Sequence, residues 1–158
     1  MIRKKILLIG DFSVGKSSLI RRYVDNAFDD SYLTTIGVKI SKKLVVIEDM
    51  ECELLIWDIE GATEIKSIPH AYLRGASGAI FVCDVGRQST IDGLNAHINT
   101  FLMLNKDAKY VVAYNKEDIL SPSQKEQLNL PCNTFLTSAK DNVNVDRLFA
   151  TLTKEMLL

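Results

Sequence analysis

The chain holds little of what builds a scaffold by cross-linking or by stiff linkers: three cysteines and three prolines in 158 residues. A disulfide framework and a proline-rich spacer are thereby excluded. Cys52, Cys83 and Cys132 are odd in number, show neither CxxC spacing nor a histidine at ligand spacing, and are expected to be reduced thiols in apolar or strand-like surroundings. The two histidines, His70 and His97, stand alone on expected helices, a pattern that suits surface or packing roles better than metal binding or base catalysis. No run approaches the roughly 18 apolar residues of a transmembrane helix. The opening Arg3-Lys4-Lys5-Ile6-Leu7-Leu8-Ile9 imitates a secretory signal, but its apolar part is short and Asp11 closes it. Neither sign of charge dominates: 19 Lys and Arg against 20 Asp and Glu give a net charge of −1, so no broad basic surface is expected for nucleic acid or membrane. The final Glu155-Met156-Leu157-Leu158 carries no cysteine for prenylation. A cytoplasmic protein without an intrinsic membrane anchor is the expectation.

What is present begins with Gly10-Asp11-Phe12-Ser13-Val14-Gly15-Lys16-Ser17, led in by the apolar run Ile6–Ile9 and followed by the helix-like Ser18–Val24. A strand, a glycine-bounded loop and a helix in this order form a phosphate cradle. The loop N–H groups converge on an anion, Lys16 reaches the outer phosphates, and the Ser17 hydroxyl is placed for Mg²⁺. The bland reading, a glycine-rich turn beside a lysine, lacks any reason for the flanking strand and helix.

Short apolar runs recur at Lys5–Ile9, Leu54–Trp57, Ala79–Cys83, Tyr110–Ala113 and Thr134–Leu136, and read as buried strands. Helical spacing of apolar residues over Ser17–Val24, Thr90–Leu104 and Val143–Met156 supplies right-handed crossovers between them. Val38–Ile47 and Cys52–Trp57, joined by the acidic Glu48-Asp49-Met50-Glu51, read as a hairpin that adds an antiparallel edge strand. Residues 1–158 are thus expected to form one α/β domain: a P-loop NTPase-type three-layer sandwich on a mostly parallel six-stranded sheet. Ligand is expected where the loops after Ile9, Trp57, Cys83 and Tyr114 meet, at the carboxyl edge.

Asn115-Lys116-Glu117-Asp118 falls at that edge. A carboxylate such as Asp118 can accept from both the N1–H and the exocyclic amine of guanine, whereas adenine offers no such donor pair. Alone, the sequence is also a common capping turn. Ser138-Ala139-Lys140 follows the next apolar run, where the Ala139 N–H would meet the guanine oxygen and the Ser138 hydroxyl would fix Asp118.

With these three boxes in this order, the chain resembles the Ras superfamily of small GTP-binding proteins over essentially its whole length. Thr34-Thr35-Ile36-Gly37-Val38, Trp57-Asp58 and Tyr72-Leu73-Arg74-Gly75-Ala76 look most like the Rab branch. The resemblance implies GTP and GDP as ligands, Mg²⁺ as cofactor, and a nucleotide site built from Gly10, Ser13, Val14, Gly15, Lys16, Ser17, Ser18, Asn115, Lys116, Asp118, Ser138, Ala139 and Lys140. It makes Thr35 a Mg²⁺ ligand and γ-phosphate sensor, Asp58 a Mg²⁺ holder through water, and Gly61 an N–H donor to the γ-phosphate. Lys16, Thr35 and Gly61 would then serve the chemical step. Phe28 would pack on the guanine, with a core aromatic at a loop root as its alternative. Trp57 and Tyr72 match two of three aromatic positions that Rab-like proteins present to partners; Ile40 stands at the third. Effector, exchange-factor and GTPase-activating proteins are the implied partner classes.

The departures concern catalysis. Where the family usually reads Trp-Asp-Thr-Ala-Gly-Gln-Glu, this chain has Trp57-Asp58-Ile59-Glu60-Gly61-Ala62-Thr63-Glu64. Ala62 offers neither donor nor acceptor to the attacking water, and Phe12 puts bulk where the family keeps a small residue. Slow hydrolysis and a hindered arginine finger are expected; Glu60 or Glu64 could orient water only by setting an anion against the charge that must be stabilised. Between Asp118 and Ser138 there is room for one short helix. The chain also ends without the tail and terminal cysteines typical of Rab proteins, which fits a protein working off the membrane or a chain whose tail has been removed. The leading expectation is a GTP/GDP switch with slow hydrolysis. A GTP-holding scaffold with negligible turnover is the alternative, and an ATP-using P-loop enzyme is disfavoured by Asp118 with Ala139.

Overall fold

A computed structural model describes residues 1–26, 38–59 and 69–158. Six strands form one sheet in the order β2-β3-β1-β4-β5-β6. They are β1 (Ile2–Ile9), β2 (Val38–Ile47), β3 (Met50–Ile59), β4 (Gly78–Asp84), β5 (Lys109–Asn115) and β6 (Thr134–Leu136). Only β2 against β3 is antiparallel; β1 pairs in parallel with β3 and β4, and β5 with β4 and β6. Helices α1 (Lys16–Asp25), α2 (His70–Leu73), α3 (Gln88–Asp92), α4 (Leu94–Leu104), α5 (Pro122–Glu126) and α6 (Val145–Leu157) connect or follow them.

Both faces of the parallel strands must be covered, and the alternation within β1 shows how the sequence does it. Ile6 and Leu8 join Leu19, Ile20, Leu148, Phe149 and Leu152 of α1 and α6 on one face. Leu7 and Ile9 join Leu73, Leu94 and Phe101 of α2 and α4 on the other. Every residue of β4 is buried. Tyr23 stacks on Phe149 with ring centroids 3.9 Å apart, tying α1 to α6. Burial, with Asp146 and Cys52 adding to it, pushes the Tyr23 hydroxyl up to about 12, so the ring stays neutral in the core. The sandwich expected from the alternating runs is the one found. Because β1 lies between β3 and β4, the loop after Ile9 opens at the point where the strand order reverses, the usual ligand crevice of such sheets.

Four local expectations are corrected. The hairpin turn is tighter than the four acidic-turn residues implied: Ile47 pairs with Met50, leaving Glu48 and Asp49 as a two-residue loop with φ of 50° and 67°. This left-handed pair matches the twist of the strands. Helix α6 begins at Val145, because Val143 is taken by backbone hydrogen bonds to Ser138 in both directions. Cys132 is exposed in the loop before β6, whereas Cys52 and Cys83 are buried; burial and the neighbouring Asp84 push the Cys83 thiol up to about 12, an unreactive state.

Thr90–Leu104, expected as one helix, is divided between two, broken at Gly93. Gly93 has φ −79° and ψ −9°, a conformation alanine adopts without strain, and among the described residues a Cβ there would meet nothing nearer than the Ser89 carbonyl at 3.5 Å. Gly93→Ala should therefore stabilise the fold by about 0.5–1 kcal/mol, mostly by restricting the unfolded chain. A urea titration that shows a lower midpoint would contradict this.

Candidate functional site

Gly10 follows β1 directly and lies against β4: a Cβ on it would sit 2.3 Å from the Val82 carbonyl. At the other end of the loop Gly15 has φ 104°, and its Cβ would fall 2.3 Å from Asn115 Nδ2. Both positions need glycine, one for close approach and one for its left-handed backbone as well. Between them Lys16, 7% exposed, folds its ammonium back across the loop to donate to the Gly10 carbonyl at 2.9 Å and the Asp11 carbonyl at 3.0 Å. Helix α1 starts at Lys16 behind Gly15, an N-cap with no side chain to offer, and has no acidic residue in its first turn. A helix N-terminus in that state, preceded by a glycine loop, attracts an anion.

The next residue, Ser17, donates its hydroxyl to Asp58 Oδ2 near the carboxyl end of β3. Asp58 is 3% exposed and sits in register with Leu8 of β1, so the sheet itself carries the carboxylate to the loop. One hydroxyl and one buried carboxylate, both hard oxygen donors beside a phosphate loop, fit the chemistry of Mg²⁺, which takes few protein ligands and completes its shell with water and phosphate. Among the described residues no group of three or more His, Cys, Asp or Glu could hold a metal by itself.

The second half of the site comes from the ends of β5 and β6. Asn115 Nδ2 donates to the Val14 carbonyl at 3.0 Å, and its Oδ1 accepts from Thr137 Oγ1 at 3.0 Å. One buried amide thus ties the phosphate loop to the Ser138 loop. Lys116, in a left-handed conformation with φ 68°, donates to the Ser13 carbonyl at 2.9 Å and pairs with Asp84 at 3.1 Å. The contact expected between Ser138 and Asp118 is present at 2.7 Å, with the Asp141 N–H on the Ser138 hydroxyl at 2.9 Å. Ala139 is buried and Lys140 exposed. Asp118 lies in a short 3₁₀ turn, Glu117–Ile119, whose Glu117 is buried and paired with Lys125 at 2.5 Å.

Phe28, Thr35, Gly61, Glu60, Ala62 and Glu64 lie outside the described residues. At the carboxyl edge the printed contacts join Ser17 to Asp58, Val14 to Asn115, Ser13 to Lys116 and Asp118 to Ser138. Ile40 is paired in register with Trp57, whose ring lies 6.2 Å from that of Tyr72. Ile40 and Tyr72 are exposed, and Lys5 sits 3.9 Å over the Trp57 ring.

Several contributors carry no sequence signature. Arg22 of α1 donates to the carbonyls of Ala139 and Lys140 at 2.7 and 2.8 Å. His97 of α4 is buried with Nε2 3.2 Å from Asp11 Oδ1, a packing role against the phosphate loop. Asp84, 5% exposed, collects the Gly86 N–H, Arg87 and Lys116. Burial alone would raise its carboxyl; the Gly86 N–H, Lys116 and Arg87 outweigh that and hold it below its ordinary value of 3.8. A depressed carboxylate contributes stability above its unfolded value and loses it as pH falls through the folded one. Stability to urea should therefore drop below about pH 4, and Asp84→Asn should flatten part of that drop. An acid limb of unchanged slope in this variant would count against the hub.

The Ras family profile matches residues 5–158. Ras-related protein SEC4 of Saccharomyces cerevisiae is 37% identical, over 95% of this chain and 73% of its own length. GTP-binding protein ypt1 of Schizosaccharomyces pombe is 35% identical, over 96% and 79%. Ras-related protein Rab-13 of Canis lupus familiaris is 32% identical, over 98% and 80%. The chain belongs to the Ras superfamily, in its Rab branch. It is a small GTPase, a GTP-binding switch on an α/β fold. Among the described residues no helix of this Rab-branch protein is long and apolar enough to cross a membrane.

Proposed function

We propose that this small GTPase is a GTP/GDP switch whose unassisted hydrolysis is slow. The observation that carries the guanine reading is the pair of ties made by Asn115, to the Val14 carbonyl and to Thr137, which set the phosphate loop and the Asp118–Ser138 pair in one frame. In this reading Gly10, Ser13, Val14, Gly15, Lys16, Ser17 and Ser18 hold the phosphates, and Asp118, Ala139 and Lys140 hold the base with Asn115, Lys116 and Ser138. In the same reading Phe28 would flank the guanine. Ser17, Thr35 and Asp58 would hold Mg²⁺, which supplies neutralisation of the charge that develops on the phosphoryl oxygens when it is bound. Thr35 and Gly61 would meet the γ-phosphate, so that the segments carrying them and the Ile40, Trp57, Tyr72 patch would present a partner surface only in the triphosphate state.

For hydrolysis, Lys16 and the loop N–H groups stabilise the transferred charge, yet nothing at position 62 orients the attacking water. Phe12, 38% exposed on the loop, adds bulk at its rim. Single-turnover hydrolysis should therefore run on the order of 10⁻⁴ per second or below, the low end for unassisted Ras-type enzymes. Ala62→Gln should give a few-fold gain and the double change with Phe12→Gly up to about tenfold, equivalent to about 1.4 kcal/mol of barrier. The same absence of a water-orienting group favours the second reading, a scaffold that holds GTP and turns over negligibly. No detectable phosphate release over a day would support the scaffold; rapid hydrolysis by the unchanged protein would defeat both and make Glu60 and Glu64 the residues to replace.

A further inference from the structure

Three consecutive carbonyls of the phosphate loop are held from outside it. Val14 O accepts from Asn115 at 3.0 Å, Ser13 O from Lys116 at 2.9 Å, and Phe12 O from Arg87 Nη2 at 2.7 Å. The first two belong to the site already described. Arg87 does not: it comes from the loop between β4 and α3, 75 residues along the chain from Phe12, and no motif marks it. Its guanidinium is used at both ends. Nε is 3.1 Å from Asp84 Oδ2, the same carboxylate oxygen that Lys116 approaches at 3.1 Å. The buried Asp84 therefore aims two cations at adjacent loop carbonyls, while the Gly86 N–H holds its other oxygen at 2.8 Å.

A trans peptide plane places each C=O opposite the N–H of the following residue. Holding the Phe12 carbonyl outward turns the Ser13 N–H inward, as the Ser13 and Val14 carbonyls do for the N–H groups of Val14 and Gly15. Ser13 itself has φ 61°, a left-handed conformation that a non-glycine residue keeps only when its surroundings enforce it. We propose that Arg87 is a positioning residue for nucleotide binding, which with Asp84 as its anchor turns the Ser13 N–H into the phosphate site. The inference rests on the reading of this loop as the phosphate site and adds to it a residue that acts through Asp84 and the Phe12 carbonyl. An arginine suits the task because its planar fork can span a carboxylate and a carbonyl together, whereas a lysine ammonium is a single point charge.

The test is the dissociation rate of a fluorescent GDP from the unchanged protein, Arg87→Ala and Arg87→Lys, with thermal melting of each. Arg87 is well exposed, its side chain 42% accessible, and its backbone bonds to Asp84 and Thr90 remain in the variants. Folding is therefore expected to survive both changes. Loss of a charge-assisted hydrogen bond that orients one loop donor should speed release roughly tenfold in Arg87→Ala, with Arg87→Lys in between. In the GDP-bound state the Ser13 amide resonance should move in Arg87→Ala while that of Gly15, set by Asn115, stays in place. Merely structural packing would not single out Ser13. Release from Arg87→Ala within twofold of the unchanged protein, or from Arg87→Lys indistinguishable from it, overturns the proposal while leaving the phosphate-site reading intact. Failure of the unchanged protein to bind GDP removes that reading and this proposal together.

Discussion

Asp118→Asn is expected to lower GTP affinity by about 10³-fold and to raise affinity for xanthosine triphosphate by a comparable factor. The Ser138 hydroxyl receives the Asp141 N–H at 2.9 Å and so has its proton available for Asp118 Oδ1 at 2.7 Å. In the variant that hydroxyl keeps the amide oxygen on its own side and leaves the amide nitrogen at the other position. There the nitrogen, a donor, would face the donors of guanine, and a site built to accept is left with an unpaired polar group. Xanthine carries an oxygen where guanine carries the amine, which restores the pairing. Equilibrium titration with both nucleotides checks the exchange. Undiminished GTP affinity would take Asp118 out of the base site.

Lys16→Ala should weaken GTP by about 10²-fold or more, with a smaller loss for GDP. Two charge-assisted hydrogen bonds to phosphate, at roughly 1.5–3 kcal/mol each, set this magnitude. In the structure the ammonium donates to the Gly10 and Asp11 carbonyls, a position from which it spans the loop. The variant also frees these carbonyls, so a melting curve must accompany the titration. Ser17→Asn, which alters the hydroxyl beside Asp58 but keeps the lysine, provides the second arm. GTP affinity unchanged in both variants would place the phosphates elsewhere.

The features legible from sequence were those with a short-range pattern. Alternation within Ile6–Ile9 requires two covered faces, and the two apolar clusters divide those residues as the alternation implies. The loop Gly10–Ser17 was legible because its glycines stand where geometry tolerates nothing larger. Gly93 was not: a single glycine inside a helical pattern costs only about 1 kcal/mol and does not by itself mark a break. Glu48-Asp49 lacks the glycine that usually announces a two-residue hairpin loop. Arg22 and Arg87 reach backbone carbonyls, and a carbonyl has no residue type to pair with in a sequence pattern. His97 and Asp11, 86 residues apart, meet only because α4 packs across the end of β1. Asn115–Asp118 and the loop Gly10–Ser17 are likewise about 100 residues apart, yet each carries its own motif, and the parallel order of β1, β4, β5 and β6 brings their ends to one edge.

Competition between GTP, GDP and ATP for the purified protein, with and without Mg²⁺, decides whether this site selects guanine. GTP and GDP should displace a fluorescent guanine nucleotide at concentrations at least about 10²-fold below those needed for ATP, and removal of Mg²⁺ should weaken the triphosphate. Equal displacement by ATP and GTP would contradict the assignment of Asp118 and Ala139 to guanine.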